Sequence, residues 1–87
     1  MAVKKITLAN GSIQEIDVLA YDTVKQALIN FPIKNEWIAY NKIFREIKQQ
    51  IVDVAGSDVW YCAAIMQDIA TTTELLEKSA DNKYLIK

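Results

Sequence analysis

A stripe of apolar residues between Pro32 and Gly56 restricts the possible folds of this chain more than any other feature. Apolar side chains recur there at spacings of three and four residues: Tyr40, Phe44, Ile47, Ile51 and Val54, with Ile43 widening the stripe. This is the period of an amphipathic helix, and polar residues fill the opposite side. Asn35 can cap such a helix, and Gly56 stands where a helix-ending glycine belongs. We predict a helix over residues 36–55.

The N-terminal part of the chain indicates a β-hairpin around Asn10-Gly11, the residue pair preferred in two-residue hairpin turns. Such a turn would set Ile6 against Glu15. A bulge in the second strand would instead bring Ile6 opposite Ile16 and gather the apolar side chains on one face. We therefore predict a bulged hairpin over residues 3–18.

A short helix is predicted over residues 23–31. Thr23 and Gln26 have the spacing of a capping box. The apolar residues that follow have helical spacing: Val24, Ala27, Leu28 and Phe31. Pro32 then ends the helix, because proline disfavours helical backbone angles at the residue before it.

The segment Val59 to Met66 is apolar on every face, so its periodicity fits a buried helix or a buried strand. Its alanines and its polar continuation favour a third helix, over residues 58–79, which three consecutive threonines could bend. Residues 84–86 can add a short C-terminal strand beside the hairpin. The predicted class is α+β, in a single small domain spanning residues 1–87.

The composition argues against most kinds of chemistry. The chain has 87 residues, a net charge of −1, no histidine and one cysteine, Cys62. Histidine is the commonest general base and metal ligand, and a lone thiol without an imidazole is expected to be buried and inert. Gly11 and Gly56 are too far apart for a phosphate-binding loop. We expect a protein that is not an enzyme, with no cofactor and no metal.

The single cysteine forbids an internal disulfide, which favours a reducing, cytoplasmic location. No apolar run approaches the roughly 20 residues that span a bilayer, so no membrane contact is expected. The richness in isoleucine and lysine is common in AT-rich genomes, including those of phages.

The first thirty residues resemble the ββα opening of β-grasp proteins such as the ubiquitin-like sulfur carriers. The resemblance rests on Lys5-Ile-Thr-Leu-Ala-Asn-Gly and on Thr23-Val-Lys-Gln-Ala-Leu. Those carriers end in Gly-Gly, whose carboxylate does the chemistry, whereas this sequence ends in Tyr-Leu-Ile-Lys87. The long predicted helix after Pro32 also departs from the family pattern. The resemblance therefore implies no function here.

A surplus of apolar residues points to binding. In a helix over residues 59–70, Trp60, Tyr61 and Ile65 would point away from the core stripe, and exposed aromatic patches usually mark interfaces. Trp37 and Ile38 are secondary candidates. The alternative, that the hairpin and C-terminal tail cover these side chains, remains open. We expect a protein-binding module, an inhibitor, adaptor or regulator encoded by a phage or mobile element, that forms a homodimer and binds an unidentified protein.

A second hypothesis is a regulator that binds a small ligand or nucleic acid. Its tryptophans and tyrosines would stack on bases, and Lys42, Arg45 and Lys48, three residues apart on one helix, would contact phosphates. Glu46 lies among these cations, and the net charge is not the basic excess typical of nucleic-acid binders. Nucleic acid is therefore the less favoured partner.

Overall fold

The computed structural model describes residues 2–8 and 10–87, and the side chain of Ser57 lies outside this description. Over these residues the chain forms five strands, three α-helices and one 3-10 helix. In order they are β1 (Val3–Thr7), β2 (Ile13–Asp17), α1 (Val18–Ile29), β3 (Trp37–Ala39), α2 (Tyr40–Ala55), the 3-10 helix (Gly56–Tyr61), α3 (Cys62–Thr72), β4 (Leu76–Lys78) and β5 (Lys83–Ile86). The mixture confirms the predicted α+β class with its N-terminal hairpin.

The hairpin of β1 and β2 is antiparallel and in regular register over its paired residues, so the predicted bulge is wrong. The N–H of Leu8 donates a hydrogen bond to the C=O of Ser12 at 2.8 Å, which closes the turn. This register places Ile6 opposite Gln14. Ile16 lies diagonally across from Ile6 on the same face, and both side chains are buried. The apolar residues therefore share one face without an inserted residue.

Helix α1 begins at Val18, five residues before the predicted start, and it ends at Ile29. The Asp17 carboxylate caps it by accepting a hydrogen bond from the N–H of Leu19 at 2.8 Å. The extra turn buries Ala20 and Tyr21, which extends the buried stripe of the helix toward its N-terminus.

Helix α2 begins at Tyr40, not at residue 36, because the preceding residues form strand β3. Asn35 does not cap the helix: its backbone is left-handed, with φ 60°. Its N–H donates to the C=O of Ile86 at 2.6 Å, which holds the segment beside β5. At the other end, Gly56 is the C-terminal cap, as predicted, with φ 53°.

The ambiguous segment after Gly56 is helical, first as the 3-10 helix and then as α3. Helix α3 ends at Thr72, seven residues before the predicted end. The side-chain hydroxyls of three consecutive threonines each donate a hydrogen bond of 2.8 Å to the backbone C=O four residues earlier. These residues are Thr71, Thr72 and Thr73. Such bonds compete with helix continuation and accompany bends, and the chain turns into strand β4.

Strands β3, β5 and β4 form an antiparallel sheet with β5 in the centre. Tyr84 of β5 lies opposite Ile38 on one side and Lys78 on the other. The C-terminal strand was expected beside the hairpin, but the hairpin gains no third strand among the described residues. The resemblance to β-grasp proteins therefore ends with α1.

The core lies between the three α-helices and one face of each sheet. Val54, expected on the buried stripe of α2, is 49% exposed at the end of that helix. Tyr40 and Phe44 are half-buried and stack with ring centroids 5.7 Å apart. The largest fully buried side chains are Tyr84, Ile6, Ile16, Leu28, Ile43, Ile47, Ile51, Ile65, Met66, Ile69, Leu76 and Ile86.

Candidate functional site

Trp60, in the 3-10 helix, is 81% exposed. The side chains around it point inward: Val59 and Cys62 are buried, and Tyr61 is half-buried. The indole therefore projects from a backbone that is fixed to the core on both sides. A rigid exposed aromatic side chain loses little conformational freedom on binding, which suits it to anchor an interface.

A hydrogen bond ties this segment to the hairpin. The Asp58 carboxylate accepts from the backbone N–H of Asp17 at 2.9 Å, across 41 residues of sequence. Asp17 in turn caps α1 through Leu19. The bond thus brings together the end of β2, the first turn of α1 and the segment that follows α2. Asp53, five residues before Asp58, is not part of this bond. Its carboxylate accepts a hydrogen bond from the side-chain amide of Gln49 at 2.8 Å.

Other apolar side chains are exposed on the two helices that adjoin this segment. Leu19, in the first turn of α1, is 56% exposed, and Val54, in the last turn of α2, is 49% exposed. We call the exposed parts of Leu19, Val54, Trp60 and Tyr61 the Trp60 surface. Exposed apolar residues that lie together commonly mark a contact site, whereas isolated ones need no explanation.

Two of the predicted interface residues are in the core. Ile65 is fully buried, so the expectation that it points toward solvent is wrong. The buried stripe of α3 consists of Cys62, Ile65, Met66 and Ile69. Ala63, two residues before Ile65, is exposed. The helix is rotated so that the larger isoleucine side chain is buried, and burial of the larger apolar side chain is worth more free energy.

Ile38 is also buried, because it is the central residue of strand β3 and faces the core opposite Tyr84. Its neighbour Trp37 points to the other face and is half exposed. Strand alternation explains the difference between these adjacent residues. A helix over the same residues, as predicted, would not have separated them in this way.

The two tryptophans belong to different elements. Trp37 lies on β3, before α2, whereas Trp60 lies on the 3-10 helix that follows α2. Trp37 borders a shallow depression of about 290 Å³, lined also by Ser79, Asp81 and Lys83. We call this the Trp37 depression.

Lys42, Arg45 and Lys48 are all exposed on α2, and within the described chain they form no ion pair. Val52, one turn beyond Lys48, is 38% exposed on the same side of the helix. Glu46 is exposed as well. These cations lie on neither the Trp60 surface nor the Trp37 depression.

Cys62 is fully buried, as predicted, beside the hydroxyl of Tyr40. Burial raises the pKa of the Cys62 thiol to about 11, so the thiol is protonated at neutral pH. Burial likewise raises the pKa of Tyr84 to about 12 and that of Tyr40 further. Across residues 2–8 and 10–87, no group of three or more His, Cys, Asp or Glu side chains is placed to hold a metal ion.

Sequence reasoning missed Tyr21, which it placed before α1. The Tyr21 hydroxyl donates to the Asp68 carboxylate at 2.5 Å and links α1 to α3. Lys4 lies 4.7 Å above its ring. Burial, together with the bond to Asp68, raises the pKa of Tyr21 to about 12. The available signal was the spacing of Ala20 and Val24, which continues the helical stripe toward the hairpin.

Comparison with protein-family models, curated proteins and solved structures finds no match to this chain. Among the described residues, none of the helices is both long and apolar enough to cross a bilayer.

Proposed function

We propose that this chain is a non-enzymatic protein-binding module, an inhibitor, adaptor or regulator, that acts as a homo-oligomer through the Trp60 surface. The observation that carries the proposal is the 81% exposure of Trp60 on a backbone anchored to the core. Tryptophan is among the residue types most often found as interface anchors. Trp60, Tyr61 and Trp37 are the predicted interface residues that remain at least partly exposed, and Trp60 is the most exposed of them.

The expected contribution of this surface is large. Covering a tryptophan removes roughly 150–250 Å² from water, worth about 4–6 kcal/mol at ~25 cal/mol per Å². Association itself costs about 4–15 kcal/mol. A two-fold dimer covers two Trp60 side chains, so their gain is comparable with this cost. We expect Leu19, Val54 and Tyr61 to supply the surplus that makes the complex stable.

A second copy of the chain is the partner that we expect first. In a two-fold dimer the same patch meets itself, so one apolar surface supplies both sides. The net charge of −1 gives little electrostatic repulsion between copies. The Asp17–Asp58 bond fixes the surface in advance, which lowers the ordering cost of association.

Light scattering after size exclusion tests the proposal. At concentrations from micromolar upward, we expect the wild type to reach twice the 9.9 kDa chain mass. Trp60→Ala should be monomeric, with an unchanged circular dichroism spectrum. Trp37→Ala is the matched control and should dimerise like the wild type. A monomeric wild type at every concentration, or equal weakening by both substitutions, would contradict this assignment.

A further inference from the structure

The Trp37 depression combines an aromatic wall with two charged groups. Its volume of about 290 Å³ lies near the lower end of ligand pockets, so it suits a ligand of one ring. Trp60 is not among the residues that line it. Its shape, its charges and its rigidity restrict the ligands that it can bind.

The turn between β4 and β5 is fixed before any ligand arrives. The N–H of Ser79 donates to the C=O of Lys83 at 2.9 Å, and the N–H of Lys83 donates to the Ser79 hydroxyl oxygen at 3.1 Å. The C=O of Asn82 accepts from the N–H of Tyr40 at 3.1 Å, which joins the turn to the start of α2. A site on so constrained a turn needs little ordering to bind.

The two charged side chains offer opposite hydrogen-bonding roles. The Ser79 hydroxyl donates to the Asp81 carboxylate, which lowers the pKa of that carboxyl and keeps it ionised as an acceptor. The Lys83 ammonium nitrogen lies 3.6 Å from an Asp81 carboxylate oxygen and supplies donors only. Both side chains are about half exposed or more. The pair is neutral overall, yet it presents an acceptor and a donor side by side.

Trp37 supplies a flat apolar wall beside this pair. It lies opposite Leu85 on β5, on the same face of the sheet as Lys83. Half of the side chain is exposed. A ring can therefore pack one face on the indole while its edge reaches the charged pair.

We propose that the Trp37 depression binds a neutral, polyhydroxylated ring, that is, a saccharide. Its C–H face packs on the indole, and its hydroxyls donate to Asp81 and accept from Lys83. An anion would meet the Asp81 carboxylate and a cation would meet the Lys83 ammonium. A purely apolar ring would desolvate both charges without replacing their hydrogen bonds. This binding activity goes beyond the protein-binding role and does not depend on it.

Nuclear magnetic resonance on the ¹⁵N-labelled full chain tests the proposal directly. The probes are glucose, galactose and N-acetylglucosamine, each titrated to about 100 mM, with uridine, indole and inorganic phosphate as counter-probes. At least one saccharide should shift the Trp37 indole N–H and the amides of residues 79–83. The shifts should saturate with a Kd on the order of millimolar, as expected for a small ligand on a shallow site. The Trp60 indole N–H is the internal control and should not move.

Two variants separate the site from a general effect of added sugar. Asp81→Asn removes the charged acceptor from an exposed position, and we expect binding to weaken by at least about 5-fold. Trp37→Ala should abolish saturable shifts, whereas Trp60→Ala should bind like the wild type. The proposal is overturned if no saccharide gives saturable shifts, or if both Asp81→Asn and Trp37→Ala bind normally. It is also overturned if only uridine or indole binds. None of these results depends on whether the chain dimerises.

Discussion

The two exposed tryptophans of this protein occupy opposite kinds of surroundings. Trp60 stands on a 3-10 helix beside the buried Val59, and Leu19 and Val54 are exposed apolar residues on the helices that adjoin this segment. Trp37 stands on a three-residue strand beside a polar turn that carries Asp81 and Lys83. The same side chain thus has exposed apolar residues near it in one case and a charged depression in the other.

This difference shows that exposure alone does not define what a tryptophan binds. An indole among apolar neighbours gains most from a large surface that excludes water, which is what another protein offers. An indole beside a donor and an acceptor gains most from a small ligand that satisfies both. We therefore assign the two surfaces different classes of ligand, although each centres on an exposed tryptophan.

The first prediction concerns the support of the Trp37 depression and has the largest expected effect. Tyr84 is 1% exposed and lies opposite Ile38 behind the depression. Tyr84→Ala should lower the free energy of unfolding by about 3–5 kcal/mol, because it leaves a cavity in the core. Urea denaturation measures the loss. Hydrogen exchange should accelerate more at Ile38 than in α3.

Tyr84→Phe is the control, since it keeps the ring and should change stability by less than about 1.5 kcal/mol. A loss below about 1 kcal/mol for Tyr84→Ala would show that the sheet does not depend on this side chain. Faster exchange in α3 than at Ile38 would show that Tyr84 supports α3 more than it supports the sheet.

The second prediction concerns two buried groups, the thiol of Cys62 and the hydroxyl of Tyr84. Cys62 follows the Trp60 segment and Tyr84 backs the depression, and burial raises the pKa of both, to about 11 and about 12. Their usual values are 9.0 and 10.0, so the folded state holds these protons more tightly. Their contribution is complete below about pH 8 and is lost as the pH rises toward 12. For Cys62 alone it amounts to about 2–3 kcal/mol.

Urea denaturation under reducing conditions from pH 7 to 11 measures this effect. The free energy of unfolding should be constant to about pH 8 and should then fall. Cys62→Ala should be less stable at pH 7 but should lose less stability between pH 9 and 10, where the thiol is the first of these groups to ionise in the unfolded chain. Parallel pH curves for the variant and the wild type would exclude a buried, protonated thiol.

The third prediction concerns the anchor of the Trp60 surface and has the smallest effect on stability. Asp58→Ala removes the acceptor of the Asp17 N–H, which should cost about 1–2 kcal/mol. Dimerisation should weaken more than 10-fold, because the surface is no longer held in advance. Asp58→Asn keeps an acceptor oxygen and should recover part of both losses. Equal dimerisation of all three proteins would mean that the bond does not organise this surface.

The sequence predicted best the elements that depend on residues close together in the chain. The stripe through Ile43, Ile47 and Ile51 correctly predicted the body and the end of α2, and the Asn10-Gly11 pair correctly predicted a hairpin. Strand β3 could not be predicted. Its pairing partner, β5, lies more than 40 residues later in the chain, and residues 36–39 alone fit a helical start. Tertiary pairing overrode the local preference.

The sequence predicted only part of the candidate site, because the exposure of a residue also depends on tertiary packing. Trp60 was selected because it lies off the core stripe, and it is exposed. Ile65 was selected by the same rule and is buried, since an all-apolar segment does not show which of its faces turns inward. Ser79 and Asp81 carried no signal as binding residues. They acquire that role only because β5 places their turn beside Trp37.

The separation of the two sheets has a consequence for the order of folding. The hairpin of β1 and β2 closes a short loop, so it can form early at little entropic cost. Strand β3 must instead wait for β5, which follows all three helices in the chain. During synthesis, β3 therefore has no strand to pair with until residues 83–86 have left the ribosome. This interval is when the chain is most open to wrong pairing with another strand.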